Sequence, residues 1–488
     1  MSILIERSGL LVVVHGLAPQ MAESLQAQLQ YTYHSMEPNG RGGMKAVSEV
    51  RRLWAMRDDG SLLTDCGFVS RIHSTVEAMG GQVTRYDRVD RPPIELHPRL
   101  DLVDASTWRE GQVQMLSTFA GHEGGLIVSP TGSGKSYGMR EICAMYPDAR
   151  IVITAPGVDA VATVARYVRE RLPGQVGQMG GGRRSTKRIT VATFNSLTKV
   201  DYFNEIDILI ADEVHRAPAK TYAEAIGAMS SPYKRFGFTA TPEGRSDKSE
   251  LVNEGLFGPI LVDIPYYEAV ERGEVVPIHC IVHEHWNGPN PELLASIKNI
   301  VRRDKRALWR NEHRNRMIAD DISQILTANP DTQILVLVAK VEHLYNLLQI
   351  MQPMGFEAVT GNLTKKDVHK YQKRGVPITY HAITNIRKRD WQRREFEQGR
   401  LRRVIATEVW SQSVSANECS VTYFASGSGA SIACLQTLGR ASRVDDDRGK
   451  TLGTVIVPRD MFYKGYQARS DKLIRAIRKQ GHQITTVK

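Results

Sequence analysis

The chain has 488 residues, with 64 Lys and Arg against 53 Asp and Glu, a net charge of +11, an isoelectric point near 9.3 and 41% hydrophobic content. That length suits about two to four domains with ordinary cores, and the basic balance implies either a polyanionic partner or a lysine-rich surface. Five scattered cysteines (Cys66, Cys143, Cys280, Cys419, Cys434) exclude a disulfide framework or zinc ribbon and fit a reducing cytosol, and no apolar run nears the ~20 residues of a membrane span, so a cytoplasmic protein without membrane contact is expected.

Residues 1–92 read as a small α+β domain. Ile3-Leu4-Ile5 and Leu10 to Val14 read as strands joined by a turn at Ser8-Gly9, the second run being too short and wrongly flanked for a signal peptide. Ala18 to Gln30 has helical spacing. Trp54 to Arg57 and Ser61 to Thr64 flank Asp58-Asp59-Gly60, which predicts a hairpin. Val69 to Met79 reads as a second helix closed by Gly80-Gly81, Gln82 to Tyr86 as a last strand, and Pro92-Pro93 as a boundary. Asn39-Gly40-Arg41-Gly42-Gly43 is a basic loop that suits a phosphate backbone or plain solvent equally well.

From 93 to 265 short apolar runs alternate with helical patterns. Strands are predicted at Ile127-Val128, Ile151 to Thr154, Ile189 to Ala192, Ile206 to Ile210 and Arg235 to Thr239. Such alternation implies a parallel sheet with helices on both faces, and ligand chemistry at the C-terminal edge of its strands. The first strand runs into Ser129-Pro130-Thr131-Gly132-Ser133-Gly134-Lys135-Ser136, and a helix follows from Tyr137. Gly132 and Gly134 let successive N–H groups around Thr131 and Ser133 converge on one anion, and the helix adds its positive end. Lys135 then reaches the β- and γ-phosphates of a nucleotide, and the Ser136 hydroxyl suits Mg²⁺. A glycine turn before an ordinary helix is the competing account, and Ser129 opens the loop where Gly or Ala is usual.

A second signal follows. Ile206 to Ala211 is apolar enough for a central strand and ends on Asp212-Glu213-Val214-His215. A carboxylate at a strand tip, Asp212, is suited to hold Mg²⁺, and Glu213 to accept a proton from an attacking water. Alone, such a pair is usually a solvated turn; its weight comes from following a strand-loop-helix on the same sheet.

Beyond 266 the chain is transitional, with a strand at Ile278 to Val282 and a basic helical stretch from Arg302 to Arg316, most simply a solvated face. A second α/β unit follows to about 460. Its strands are predicted at Gln333 to Val338, Glu357 to Gly361, Arg403 to Thr407 and Val421 to Phe424, with helices at Glu342 to Met351 and Asp390 to Gln398. After the last strand a helix carries Gln436, Gly439, Arg440 and Arg443 on one face at three- and four-residue spacing. Residues 461–488 read as a basic helix and tail.

In their order, Ser129 to Ser136, Asp212-Glu213-Val214-His215, Thr239-Ala240-Thr241 and Gln436-Thr437-Leu438-Gly439-Arg440-Ala441-Ser442-Arg443 resemble motifs I, II, III and VI of the superfamily 2 DExH-type helicases. The resemblance implies two tandem RecA-like parallel-sheet domains, 93–265 and 266–460, behind the N-terminal domain. It makes Arg109 and Gln112 an adenine-sensing element, an amide being able to pair with N6 and N7 of adenine. It places Pro156, Thr193 and Ser196 on a nucleic-acid backbone, His215, Thr239 and Thr241 in coupling, Gln436 among the catalytic residues, and Arg440 and Arg443 opposite the γ-phosphate as arginine fingers. ATP and Mg²⁺ are the implied ligands. Motif V departs, with Ser413-Val414-Ser415 where the family has Gly-x-Asp. The layout most resembles the tailed-phage recombination and branch-migration helicases of the UvsW group. That implies unwinding or branch migration of forks, Holliday junctions and displacement loops; position and mild basicity make residues 1–92 a candidate for duplex or junction contact. An RNA helicase or restriction-system motor subunit, and an ATP-gated clamp or annealing protein, remain alternatives.

Overall fold

Alternation of buried and exposed residues along Ser2–Ser8 (β1) and Leu11–His15 (β2) aims Ile3, Ile5, Val12 and Val14 at one core and pairs the strands antiparallel. In the computed structural model, which describes residues 2–38, 44–88, 96–104, 106, 108–216, 220–229, 233–240, 250–384, 386–407, 410, 420–427 and 450–487, these strands begin a small mixed sheet. Pro19–Gln28 (α1) contributes Met21 and Leu25 to its core. Gln30–Pro38 (β3) and Met44–Arg52 (β4) then form a separate two-stranded ribbon, in register from Gln30 opposite Arg52 to Pro38 opposite Met44. Trp54–Met56 (β5) and Leu62–Asp65 (β6) are the expected hairpin, with Gly60 in the left-handed region. Val69–Ala78 (α2) and Gln82–Arg88 (β7) complete the unit. The sheet order is β5-β6-β2-β1-β7, and only β1 and β7 run parallel.

The next sheet is built around the phosphate-loop strand. Glu110–Gly121 (α3) precedes Gly124–Val128 (β8), and Lys135–Met145 (α4) follows it. The chain continues through Ile151–Ala155 (β9), Val158–Arg171 (α5), Val176–Gly180 (β10), Arg183–Ser185 (β11), Ile189–Thr193 (β12), Ile208–Asp212 (β13), Lys220–Gly227 (α6), Lys234–Thr239 (β14), Glu250–Phe257 (α7) and Ile260–Asp263 (β15). The order is β11-β10-β12-β9-β13-β14-β8-β15, parallel except for the β10–β11 pair. All five predicted strands are present, and β10, β11 and β15 are added. Near-continuous burial of β9, β13 and β14 is what helices on both faces require. The ammonium of Lys234 donates to the carbonyls of Phe119, Ala120 and His122, closing the C-terminal end of α3.

The N-terminal sheet is fastened to this one through α7. Gly67 lies so near that helix that a Cβ would stand 1.9 Å from the Glu254 carbonyl oxygen. Arg71 grips Glu254 with two hydrogen bonds, at 2.8 and 2.5 Å. Buried Arg235 donates to the Leu256 carbonyl and to Sγ of Cys66, and Arg7 pairs with Glu123 at 2.7 Å. The chain forms two compact units, one of Met1–Pro130 with Gly134–Ile264 and the other of Pro265–Lys488 with the short loop segment Thr131–Ser133.

The second unit holds an all-parallel sheet of Ile278–His285 (β16), Ile334–Val338 (β17), Glu357–Val359 (β18), Arg403–Thr407 (β19), Val421–Phe424 (β20), Gly453–Asp460 (β21) and Gln483–Val487 (β22), in the order β18-β19-β17-β20-β21-β16-β22. The fold is thus α/β, two tandem RecA-like sheets behind a small mixed one. The segment after 460 is built into it. Helix Lys464–Lys479 buries Tyr466, Leu473, Ile474 and Ile477, and β22 forms an edge of the sheet beside β16. The basic stretch from 302 to 316 is not uniformly solvated either. Arg314 is fully buried, donating to Asp460 at 2.8 Å and to the Ala425 carbonyl at 3.0 Å. Burial opposes charge on Asp460, yet Arg314 beside it holds the carboxyl below the usual range.

Candidate functional site

Register sets the geometry at the C-terminal edge of the first parallel sheet. Val128 of β8 lies opposite Thr239 of β14, and Phe238 opposite Asp212 of β13, so the glycine loop and the acidic strand tip are one strand apart. The loop is tied down where it begins, the Ser129 N–H donating to the Thr239 carbonyl at 3.0 Å. Gly132 and Gly134 both have φ of +97°, a backbone only glycine adopts cheaply. Gly134 is also the residue before α4, and a Cβ there would fall 2.0 Å from Nε2 of Gln112. Lys135 is buried at the first turn of α4, and its ammonium donates to the carbonyls of Ser129 and Pro130 at 2.9 and 3.0 Å. A cation folded onto its own loop in this way satisfies its hydrogen bonds without a phosphate and can exchange them for one. Ser136, half-buried, follows it on the same turn.

The strand tip is electrostatically frustrated. Burial and the neighbouring Glu213 raise the Asp212 pKa, and Lys135 opposes the rise. A carboxylate pair with too little positive charge is suited to a divalent cation. Asp212 Oδ1 accepts the Glu213 N–H at 3.0 Å, and Glu213 sits at φ of +53°, the one non-glycine among the described residues with a positive φ. That left-handed backbone is strained, and strain of this kind collects at working sites. Nδ1 of His215 lies 3.1 Å from Oγ1 of Thr239 and 3.4 Å from Oε2 of Glu213. With its proton on Nδ1, His215 donates to both and joins the acidic tip to the end of β14.

Residues that would hold a nucleotide and Mg²⁺ therefore fit those ligands. Backbone N–H groups around Gly132 and Gly134 with Lys135 suit the phosphates; Ser136 and Asp212 suit the cation, which needs only one or two protein oxygens beside the phosphates. Among the described residues no cluster of three or more metal-ligating side chains occurs. Gln112 caps its own helix, its carbonyl oxygen accepting the Arg109 N–H at 3.1 Å, so Arg109 and Gln112 stand beside the loop.

Residues 105–244 match the family model described as "Type III restriction enzyme, res subunit". A curated relative, "DNA 3'-5' translocase XPB2" of Sulfurisphaera tokodaii, is 27% identical over 364 residues, covering 69% of this chain and 79% of that protein. The chain is an ATP hydrolase similar to the superfamily 2 helicases and translocases. Its fold matches the structure of Saccharomyces cerevisiae Dbp5 bound to RNA and ADP BeF3 at 13% identity and a TM-score of 0.53, over 78% of this chain and 89% of that one. The crystal structure of T4 UvsW aligns with 100% of this chain and 99% of that chain at 16% identity, with a TM-score of only 0.41.

Within this core, Pro156 and Thr193 lie just past and at the ends of the neighbouring strands β9 and β12, Thr193 opposite Ala155. Oγ1 of Thr193 and Oγ of Ser196 are 2.8 Å apart. These three residues thus share an edge with the phosphate loop. Thr241, Gln436, Arg440 and Arg443, together with Ser413 and Ser415 of the altered motif V, lie outside the described residues.

Sequence reasoning missed the turn Gly180-Gly181-Gly182 between β10 and β11. Gly180 has φ of +125°, and a Cβ there would meet the Thr193 side chain at 2.7 Å. Exposed Arg183 and Arg184 follow it. The run of three glycines before two arginines was the available signal.

Proposed function

We propose that this ATPase is a DNA translocase that remodels branched DNA: forks, Holliday junctions, and displacement or RNA loops. The observation that carries the motor reading is the constellation of Lys135, Asp212, Glu213, His215 and Thr239 along one sheet edge, with Thr193 and Ser196 on the same edge. DNA is preferred because the relative aligned over most of both chains is named a DNA translocase, whose stated direction is 3′ to 5′. In this reading Lys135 and the loop N–H groups bind the β- and γ-phosphates, Ser136 and Asp212 hold Mg²⁺, and Glu213 accepts a proton from the attacking water. Mg²⁺, when bound, neutralises charge that develops on the phosphate oxygens. His215 holds Glu213 to Thr239, so the state of the acidic tip is sensed at the end of β14. By resemblance, Arg440 and Arg443 neutralise transition-state charge, Gln436 belongs to the same catalytic motif, and Thr241 takes part in coupling. The N-terminal domain contacts duplex or junction; its β3–β4 pair is a two-stranded ribbon, an element that a major groove admits.

The family model favours one second reading, a restriction-system motor subunit acting on duplex DNA. ATPase assays with forked DNA, linear duplex, single strands and RNA separate these readings. The expected result is strongest stimulation by forks. Glu213→Gln is expected to keep ATP binding while turnover falls by roughly 10²–10⁴-fold, and Lys135→Ala to lose both. Fork unwinding that survives both substitutions would end the motor reading.

A further inference from the structure

The edge strand β18 runs out at its C-terminal end through Thr360 and Gly361 into an excursion that returns at Thr384. Its neck is shut. Leu363 and Thr384 exchange backbone hydrogen bonds at 3.2 and 3.3 Å, and Oγ1 of Thr384 donates to the Gly361 carbonyl at 2.5 Å. Arg389 adds a bond to Oδ1 of Asn362 at 2.9 Å. Farther out, Arg310 holds the Arg374 carbonyl at 2.8 Å. Leu363, Val368, Val376, Ile378 and Ala382 are buried in the core beneath the sheet. The excursion is a fixed part of the second unit.

Its helix, Lys365–Gln372, has two unlike faces. Val368 faces the core. Lys366, Lys370 and Lys373, at spacings of four and three, share the opposite face, and all three are exposed. Lys365 is exposed beside them. The one acidic residue of the helix, Asp367, is turned to capping: it accepts from the N–H and hydroxyl of Thr364, and these bonds hold its pKa below the usual carboxylate value. The nearby acids are engaged elsewhere: Glu342 pairs with Arg310, Asp390 with Arg393, and Asp367 with Thr364. Like charges at these spacings weaken a helix. Concentrated on a pinned helix at the C-terminal edge of a parallel sheet, where ligands bind in this architecture, they make a cationic face suited to a polyanion.

We propose that this helix is a phosphate clamp for a nucleic-acid strand, gripping the backbone through Lys366, Lys370 and Lys373 without reading sequence. The clamp rests on the reading of the protein as a nucleic-acid motor. The test uses the full chain and fluorescein-labelled forked DNA, with binding followed by anisotropy from 50 to 200 mM salt. The triple variant Lys366→Glu, Lys370→Glu, Lys373→Glu is expected to bind at least tenfold more weakly at 100 mM salt. The slope of log affinity against log salt should fall by roughly two to three, about 0.7–0.9 for each phosphate no longer neutralised. Lys→Gln at the same positions should give an intermediate affinity, and circular dichroism shows whether both variants keep the fold. Unchanged affinity and slope overturn the clamp, and so does weaker binding at an unchanged slope. DNA binding that stays intact while binding to poly-glutamate is lost would assign the face to an acidic protein and also overturn it. Wild-type protein that binds neither DNA nor RNA would instead sink the motor reading.

Discussion

Asp212 and Glu213 carry opposite costs, one electrostatic and one conformational. Asp212 is crowded into its protonated form when no cation is near. A raised carboxyl pKa gives stability that is complete below the unfolded value and is lost as pH rises through the folded value. Asp212→Asn should therefore make the nucleotide-free protein more stable at pH 8, by on the order of 1 kcal/mol, or about 2–4 °C in the melting midpoint. The gain should shrink as pH falls toward 5, and ATP hydrolysis should be lost at every pH. Thermal melts of both proteins across that range check it; equal midpoints at pH 8 would refute the crowding. This pair was legible in sequence because the signal is local: an apolar strand ending on two acids, after a glycine loop on the same sheet. The left-handed backbone at Glu213 was not legible, since nothing in the residue type asks for it. Neither was the engagement of Gln112 with its own helix start, because the amide has two ends and only the fold says which partner each finds.

At the scale of elements, α7 is the joint between the N-terminal sheet and the first parallel sheet. No local pattern announces it, because its partners are Gly67, Arg71, Cys66 and Arg235, and it takes the fold to bring Arg235 to Cys66. Gly67→Ala has no room for its methyl beside the Glu254 carbonyl and should cost about 1–3 kcal/mol, seen as a lower urea midpoint. Asp65, beside Arg235, adds a pH term: burial pushes its pKa up to about 6, with Arg235 working against the rise. Its neutral form is the favoured one, so that share of stability is present at acid pH and fades as pH rises through about 6. Asp65→Asn should flatten the fall in melting midpoint between pH 5 and 7.5, and an unaltered slope would show that the carboxyl is not the source. Most strands of the parallel sheets were legible from apolar runs, though β15 and β21 were not. The β3–β4 ribbon and the β10–β11 pair were not, because strands rich in polar residues or glycine carry little periodic apolar signal.

For the whole molecule, the segment after 460 is not an appendage. Leu473, Ile474 and Ile477 fill the core of the second sheet and β22 pairs beside β16. Deleting residues 462–488 should therefore leave a second unit that no longer folds. Limited proteolysis is expected to degrade the chain beyond about residue 265 and spare the first unit; a protease-resistant second unit would refute this. Reading the segment as a basic helix and tail followed its charge, and the helix is there. Its buried face has the same helical spacing, but the strand that follows is too polar to announce itself.

The position of β16 within its sheet has a consequence for synthesis. Both of its hydrogen-bonded neighbours, β21 and β22, come from the far end of the sequence. At ~5–20 residues per second, the stretch from 286 to 452 occupies the ribosome for about 10–30 s. Through that interval Ile278, Cys280 and Val282 have emerged without the strands that cover them. The nascent protein is thus most open to misassembly, and most in need of a chaperone, after its first half has already matured.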